Sequence, residues 1–379
     1  MSVILSEKKL PSALSVYIDL LRVLAALLVM ASHFPLTVQI SKTLSAVNYA
    51  YDAVVVFFVL SGYVISYAAE VVEGSLKNYA INRVARIMPV AIGSVIFAMV
   101  TCYFLSGTRP LFYGDPDQFN HWWQTVIQSL TFTNQAWRSN EIPFGNGPYW
   151  SLAFEVWCYV FYAVILFSRG WVRIALFLLL AVALGPKQLI ILPMWLAGAA
   201  AYHAREKIKI PRSALIAMLI LPIAIYWCVQ LSTSRDWSYA YAGAKVESVI
   251  GFGIDGAANF GWGYFLAVMF AVHLLAFGVL CKGFEVSSSR KWVRLIRWLA
   301  GYTFTLYLFH LPIIKMFMVF FDMGHGHDTA FERAPVYALT FVLVYLIGNV
   351  VEHKKSTYRT WALYVFEACS QIFRPRVKA

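Results

Sequence analysis

The chain has 379 residues, of which 60% are hydrophobic and 13% charged, with a mean hydropathy of +0.65. Soluble domains carry about a quarter of their residues as charges, so a soluble fold is excluded. The formal net charge of +12 would suit a nucleic-acid partner, but the distribution of the cations along the chain argues for a lipid bilayer and against a nucleic acid.

Windows of about 20 apolar residues mark spanning helices. Ten are expected, at 14–38, 50–69, 88–106, 149–168, 171–185, 188–204, 212–231, 262–281, 298–321 and 334–352. The first is too long for a cleaved signal, holds Arg22, and has no small-residue cleavage site after it. The stretch HWWQTVIQSLTF from His121 is too short and too polar to span, and reads as an interfacial or re-entrant piece. The fifth and sixth helices are short and joined through Gly185-Pro186, a tight hairpin. With the N-terminus inside, inner segments hold 22 Lys and Arg and outer loops hold 7. That bias supports an even helix count with both termini cytoplasmic. The fold class is therefore an all-α integral membrane protein, a bundle of about ten transmembrane helices. One polytopic domain is expected over 1–379, with no soluble domain appended. The five cysteines are scattered, show no pairing or metal-ligand spacing, and read as packing residues. No metal site is expected.

Ionisable groups inside spans are costly and usually serve a site. The first helix carries three such residues: Asp19, Arg22 and His33. Eleven residues is close to three helical turns, so Arg22 and His33 share a face, about 16 Å apart along the axis. In the second helix, Ser61-Gly62 forms a small polar notch that lets a helix or a ligand approach. Before the third, Arg83 and Arg86 lie on one side of a helical turn. Arginine forks suit phosphate oxygens, though such residues also satisfy the positive-inside bias alone. The fourth helix opens on GPYWSLAFEVWCYVFY, with Trp150 and Ser151 about one turn above Glu155. It runs from outside to inside, so Glu155 is expected near the depth of His33, where a carboxylate would orient a neutral histidine as general base. In the ninth helix, YLFHLP places His310 near mid-span, before Pro312 and Lys315. Such a histidine also serves simply as a hydrogen-bond partner for a neighbouring helix. The longest outer loops hold Trp122, Trp123, Trp137, Trp237, Tyr239 and Tyr241. Aromatic faces stack on sugar rings, but an interfacial belt accounts for most of these six.

Taken in order, Arg22 with His33, FFVLSGYVIS, Arg83 with Arg86, PYWSLAFEVWCY and YTFTLYLFHLP resemble acyltransferase family 3, membrane proteins that acylate bacterial polysaccharides and other carbohydrates. The resemblance spans nearly the whole chain. It departs at the fourth-helix motif, where the family often has a second acidic or polar residue beside the Glu; here Phe154 and Val156 flank Glu155. The resemblance implies that an acyl group, most simply acetyl, moves from cytoplasmic acyl-CoA to a hydroxyl of a carbohydrate or lipid-linked glycan acceptor, at the bacterial inner (plasma) membrane. It implies no tightly bound cofactor, acyl-CoA being the donor substrate. The family's essential Arg and His map onto Arg22 and His33. On this reading His33 is the base oriented by Glu155, and Arg22, Arg83 and Arg86 hold the donor. Asp19, Ser61, Gly62 and His310 support the site. Asn134, Trp150, Ser151 or a tyrosine supplies the oxyanion donor. One continuous cavity is expected, from a mouth at Arg83 and Arg86 to another near His33 and Glu155. Direct transfer and a covalent acyl intermediate both fit the residues, as do acetyl and longer acyl groups, and oligomeric state is not encoded legibly. Two other functions compete. A secondary transporter would show paired repeats and broken helices, and no repeat is visible. A non-catalytic partner in a polysaccharide-synthesis complex would not consume acetyl-CoA.

Overall fold

The computed structural model describes residues 10–36, 49–108, 119–230, 238–323 and 329–372, with backbone alone at 238–240 and 369–372. Among these residues the architecture is all helix. In chain order the helices are Ser12–His33 (α1), Tyr49–Tyr67 (α2), Leu76–Leu105 (α3), Trp122–Leu130 (α4), Tyr149–Phe167 (α5), Gly170–Leu184 (α6), Pro186–Arg205 (α7), Arg212–Gln230 (α8), Ala244–Ile250 (α9), Phe260–Leu280 (α10), Lys291–Ala300 (α11), Thr303–Phe320 (α12), Ala330–Val351 (α13) and Lys355–Ile372 (α14). Each of the ten expected spans has a helix, and eight of these are long and apolar enough to cross a membrane. The other two are α6, only 15 residues long, and α7, which carries Lys187, Gln188 and Arg205 as buried polar groups.

Three boundaries differ from expectation, each for a local reason. The first helix stops at His33 rather than running to 38. Phe34 precedes Pro35, whose ring disfavours helical backbone at the residue before it, and Phe34 adopts φ −143°. The third helix begins at Leu76, twelve residues before the apolar window, with Ser75 accepting from the Asn78 amide at 3.3 Å as its N-cap. Its first three turns are too polar for a hydropathy window, and they carry Arg83 and Arg86 into the bundle as helix. The expected span 298–321 is two helices. The amphipathic α11 lies against α1, and α12 restarts at Thr303 after a turn at Gly301 and Tyr302. The C-terminal α14, packed along α3, was not expected at all. The His121 segment forms α4, a short helix that buries Thr125 and Ser129 and exposes Trp122, Trp123 and Ile127.

The core is set by close packing of α2 against α7. At Gly62 an added Cβ would lie 2.0 Å from the Trp195 carbonyl oxygen, and at Gly198 one would lie 1.9 Å from that of Val59. These reciprocal glycines let two backbones touch, the small-residue solution to helix association in lipid. Around this pair pack α1, α10 and α5, while α12 joins α1 to α3 and α13. The α6, α8 and α13 helices leave most of their apolar side chains exposed at the periphery, where lipid would cover them. Cys102, Cys158 and Cys281 are buried unpaired thiols and Cys228 is exposed; the Cys369 side chain lies outside the described residues.

Candidate active site

Two cavities lie inside the bundle, one above the other. The inner one, about 270 Å³, is lined by Asp19 and Arg22 of α1, Ser61 of α2, Arg86 of α3, Ser151, Glu155 and Tyr159 of α5, and Thr303 and Tyr307 of α12. Arg22 is aimed by two acceptors. Its Nη2 donates to Thr303 Oγ1 at 3.1 Å, and its Nη1 stands 3.7 Å from Asp19 Oδ1. Glu155 is held from two helices. Its Oε1 accepts from Ser61 Oγ at 2.7 Å and from Tyr159 Oη at 2.5 Å, while Trp195 Nε1 donates to Ser61 Oγ at 3.2 Å. Behind the cavity, Glu352 is buried and accepts from the amide and the hydroxyl of Thr305. Lys355, outside the spans, is drawn into the same group. The residue is exposed at the surface, but the protein atoms crowding its ammonium, and next the Arg86 charge, push it below the usual lysine value, with Glu352 pulling the other way.

The outer cavity, about 280 Å³, is lined by His33, Tyr51, Trp150, Asp255, Asn259 and Tyr307. His33 is the last residue of α1. Its Nδ1 lies 2.8 Å from the Val29 carbonyl oxygen, which can only accept, so Nδ1 carries the proton and Nε2 the lone pair. His310 is fully buried, and its Nδ1 lies 2.9 Å from the carbonyls of Leu306 and Tyr307. By the same argument its Nε2 is an acceptor, and it faces His33 Nδ1 at 3.4 Å. The histidine pair therefore fixes one tautomer of His33 and leaves Nε2 as its basic nitrogen.

Tyr307 and Val54 line both cavities. The tyrosine hydroxyl is 2.6 Å from Ser151 Oγ, which ties α12 to α5 at the neck between the two spaces. The single continuous cavity expected from the sequence is thus two cavities meeting at a neck.

A family model described as an acyltransferase domain matches residues 15–351. The chain belongs to the acyltransferase 3 family. Neither the curated proteins nor the solved structures compared with it give a match. Family membership makes this a multi-pass membrane acyltransferase, and the cavities are where its residues meet.

Set against that membership, the geometry regroups the residues that the sequence singled out. Glu155 does not orient His33. It stands in the inner cavity with Arg22 and Arg86, bonded to Ser61 and Tyr159. His33 is the last residue of its helix and so stands above Glu155. Its level is that of Trp150, which shares the outer cavity, and Glu155 is five residues further along α5, about 7 Å deeper. The orienting partners of His33 are Val29 and His310 instead. Arg83 does not line the inner cavity. It forms a tight ion pair with Glu73, and its guanidinium stacks over Tyr79 and Tyr159 at 5.4 and 5.9 Å. Asn134 is in neither cavity. It is buried in the loop after α4, with Nδ2 donating to the Glu141 carbonyl at 3.0 Å. Ser61 reaches the site, whereas Gly62 belongs to the helix crossing. Of the loop aromatics, Trp122, Trp123, Trp137 and Tyr241 are exposed; Trp237 and the Tyr239 side chain lie outside the described residues.

Tyr159, Tyr307, Thr303, Asp255, Asn259 and Glu352 were missed. Tyr159 and Tyr307 carried a readable signal, being one helical turn from Glu155 and His310 respectively. Asp255 and Asn259 sit in an irregular loop with no periodicity to mark them.

Proposed function

We propose that this acyltransferase moves an acyl group, most simply acetyl, from cytoplasmic acyl-CoA to a hydroxyl of an envelope or exported carbohydrate, with His33 as general base. One observation carries the reading: an arginine-lined cavity and a histidine-lined cavity meet at a single neck, at Tyr307. The inner cavity suits the anionic donor. Arg22 and Arg86 supply cations on its wall, and an extended thioester arm can follow the Arg22 face up to the neck and toward His33, which stands about 16 Å above Arg22 along α1. The outer cavity suits the acceptor. As the acceptor oxygen attacks the thioester carbon, its proton passes to His33 Nε2. The C–S bond breaks, the carbonyl re-forms, and the coenzyme leaves as a thiolate that takes up a proton. Ser151 and Tyr307, joined at the neck, are the nearest hydroxyl donors to a carbonyl presented there, which suits them to the developing oxyanion. His310 keeps the His33 tautomer productive, the role the sequence suggested for Glu155.

The test is thiol release from acetyl-CoA by the purified full chain in detergent or nanodiscs. The wild type is expected to release coenzyme A, and a folded His33→Ala protein is expected not to. Equal release by both would remove His33 from the reaction.

A further inference from the structure

The loop GFGIDGAAN, residues 251–259, lies over the outer cavity and contains a backbone outlier. Asp255 has φ +46°, a left-handed conformation that non-glycine residues adopt sparingly, aspartate more readily than most. Such strain persists only where its surroundings impose it, and here three contacts do. Glu247 Oε1 accepts from the Ile254 amide at 2.8 Å. Gly256 packs on the Trp150 ring so closely that a Cβ there would come within 2.5 Å of it. Lys187, in the first turn of α7 and fully buried, donates from Nζ to Asp255 Oδ2 at 2.7 Å and to the Ser139 carbonyl at 3.0 Å. A buried ammonium is expensive unless paired, so the fold commits a lysine to holding this carboxylate in place. A carboxylate has about four acceptor positions, so Asp255 keeps capacity for further donors. It lines the same cavity as His33, Trp150 and Asn259.

We infer that this is the acceptor subsite: Asp255 accepts from hydroxyls of a neutral polyhydroxylated ring, Asn259 donates to and accepts from a neighbouring hydroxyl, and Trp150 offers an apolar face to the ring. The inference rests on the acyl-transfer reading above and names the residues that would choose its acceptor. An apolar alcohol would leave Asp255 and Asn259 desolvated without partners. An anionic group would face the carboxylate as a like charge. The cavity volume is at the lower end for small-molecule sites, enough for one ring rather than several.

The probe is methyl α-glucoside, a neutral ring with no charge of its own, titrated into the full chain with acetyl-CoA while coenzyme A release is followed. Wild-type release should accelerate saturably with methyl α-glucoside and not with n-butanol at matched concentration. Asp255→Asn should raise the half-saturating glucoside concentration about tenfold or more, and Asn259→Ala should raise it severalfold. Half-saturation by acetyl-CoA should not move with either. Because Asp255→Asn strands Lys187, the double variant Asp255→Asn with Lys187→Met separates ligand binding from folding. It should melt near the wild type and stay deficient for the glucoside. A double variant with wild-type glucoside response would overturn the inference, making Asp255 a structural partner of Lys187 only. So would equal acceleration by n-butanol, or release that glucoside does not accelerate; in both cases acyl transfer itself stands. Absence of any coenzyme A release from the wild type would instead sink the acyl-transfer reading, and the subsite with it.

Discussion

Arg83 and Arg86 are one helical turn apart, yet the structure gives them different work, and exchanging their side chains for smaller ones should show it. Arg83 is paired with Glu73, whose side chain is only 2% exposed, and Asn82 Nδ2 adds a 3.0 Å bond to the same Oε1. Arg83→Ala would leave that carboxylate buried with one amide donor. Removing one partner of a buried pair costs about 3–5 kcal/mol, more than most single interactions are worth, because the remaining charge is uncompensated. The double variant Arg83→Met with Glu73→Gln removes both charges and keeps the acceptor for Asn82, so it should recover most of that loss. Arg86 lines the inner cavity, so Arg86→Ala should unfold near the wild-type temperature and instead raise the acetyl-CoA concentration needed for half-maximal rate. The measurements are thermal unfolding in detergent and donor titration, for all three proteins. If Arg83→Ala melts like the wild type and weakens the donor as much as Arg86→Ala, the assignment of Arg83 to the fold is wrong.

His33→Gln keeps hydrogen bonding without a basic nitrogen, so acyl transfer should fall about 10²- to 10⁴-fold; a turnover assay showing less than tenfold loss would refute the role of base. Tyr307→Phe loses the contact to Ser151 and one of the two hydroxyls proposed for the oxyanion, and should cost about 1 kcal/mol in stability and up to about 10²-fold in turnover, while Tyr307→Trp should block the neck and stop transfer with coenzyme A binding retained by calorimetry. Wild-type turnover by Tyr307→Trp would take the neck off the path. Gly198→Ala drives a methyl group to 1.9 Å from the Val59 carbonyl oxygen, so α2 and α7 must part and the melting temperature should drop by many degrees. Gly74→Ala meets no atom within 4 Å but keeps φ +61°, and should cost only about 1 kcal/mol. Similar melting temperatures for those two glycine variants would contradict the packing argument.

The helical bundle was legible because lipid leaves few options: backbone groups must bond within a segment, so apolar length and cation bias suffice to find helices. What hydropathy missed is polar helix. The first three turns of α3, the surface helix α11 and the terminal α14 are amphipathic or charged. Their stability comes from packing on α1 and α3, which no local window contains. The Arg22, Ser61, Arg86 and Glu155 group was legible in its membership, since ionisable residues in apolar helices announce themselves. The Arg83 pairing was not, because Glu73 lies in a π-helical turn ten residues earlier that reads as a loop in sequence.

Glu155 belongs with the arginines of the inner cavity rather than with His33. On the acyl-CoA reading proposed above, a carboxylate beside His33 would meet the acceptor; lining the inner cavity with Arg22 and Arg86, it meets the donor. The inner group then holds Asp19, Glu155 and Glu352 against Arg22, Arg86 and Lys355, charges close enough to act on one another. Three acids stand against three bases there, most of them only partly buried, so none is left as an uncompensated buried charge. Glu155 already takes two hydroxyl donors on one oxygen, so its charge is spread into Ser61 and Tyr159 rather than resting on an arginine. Arg22 likewise gives one terminal nitrogen to a neutral threonine and has only a loose 3.7 Å pair with Asp19 on the other. Each cation that reaches the cavity is therefore only partly committed. An anionic ligand can engage Arg22 and Arg86 without first breaking a closed ion pair, and Arg83, whose pair with Glu73 is closed, does not line the cavity.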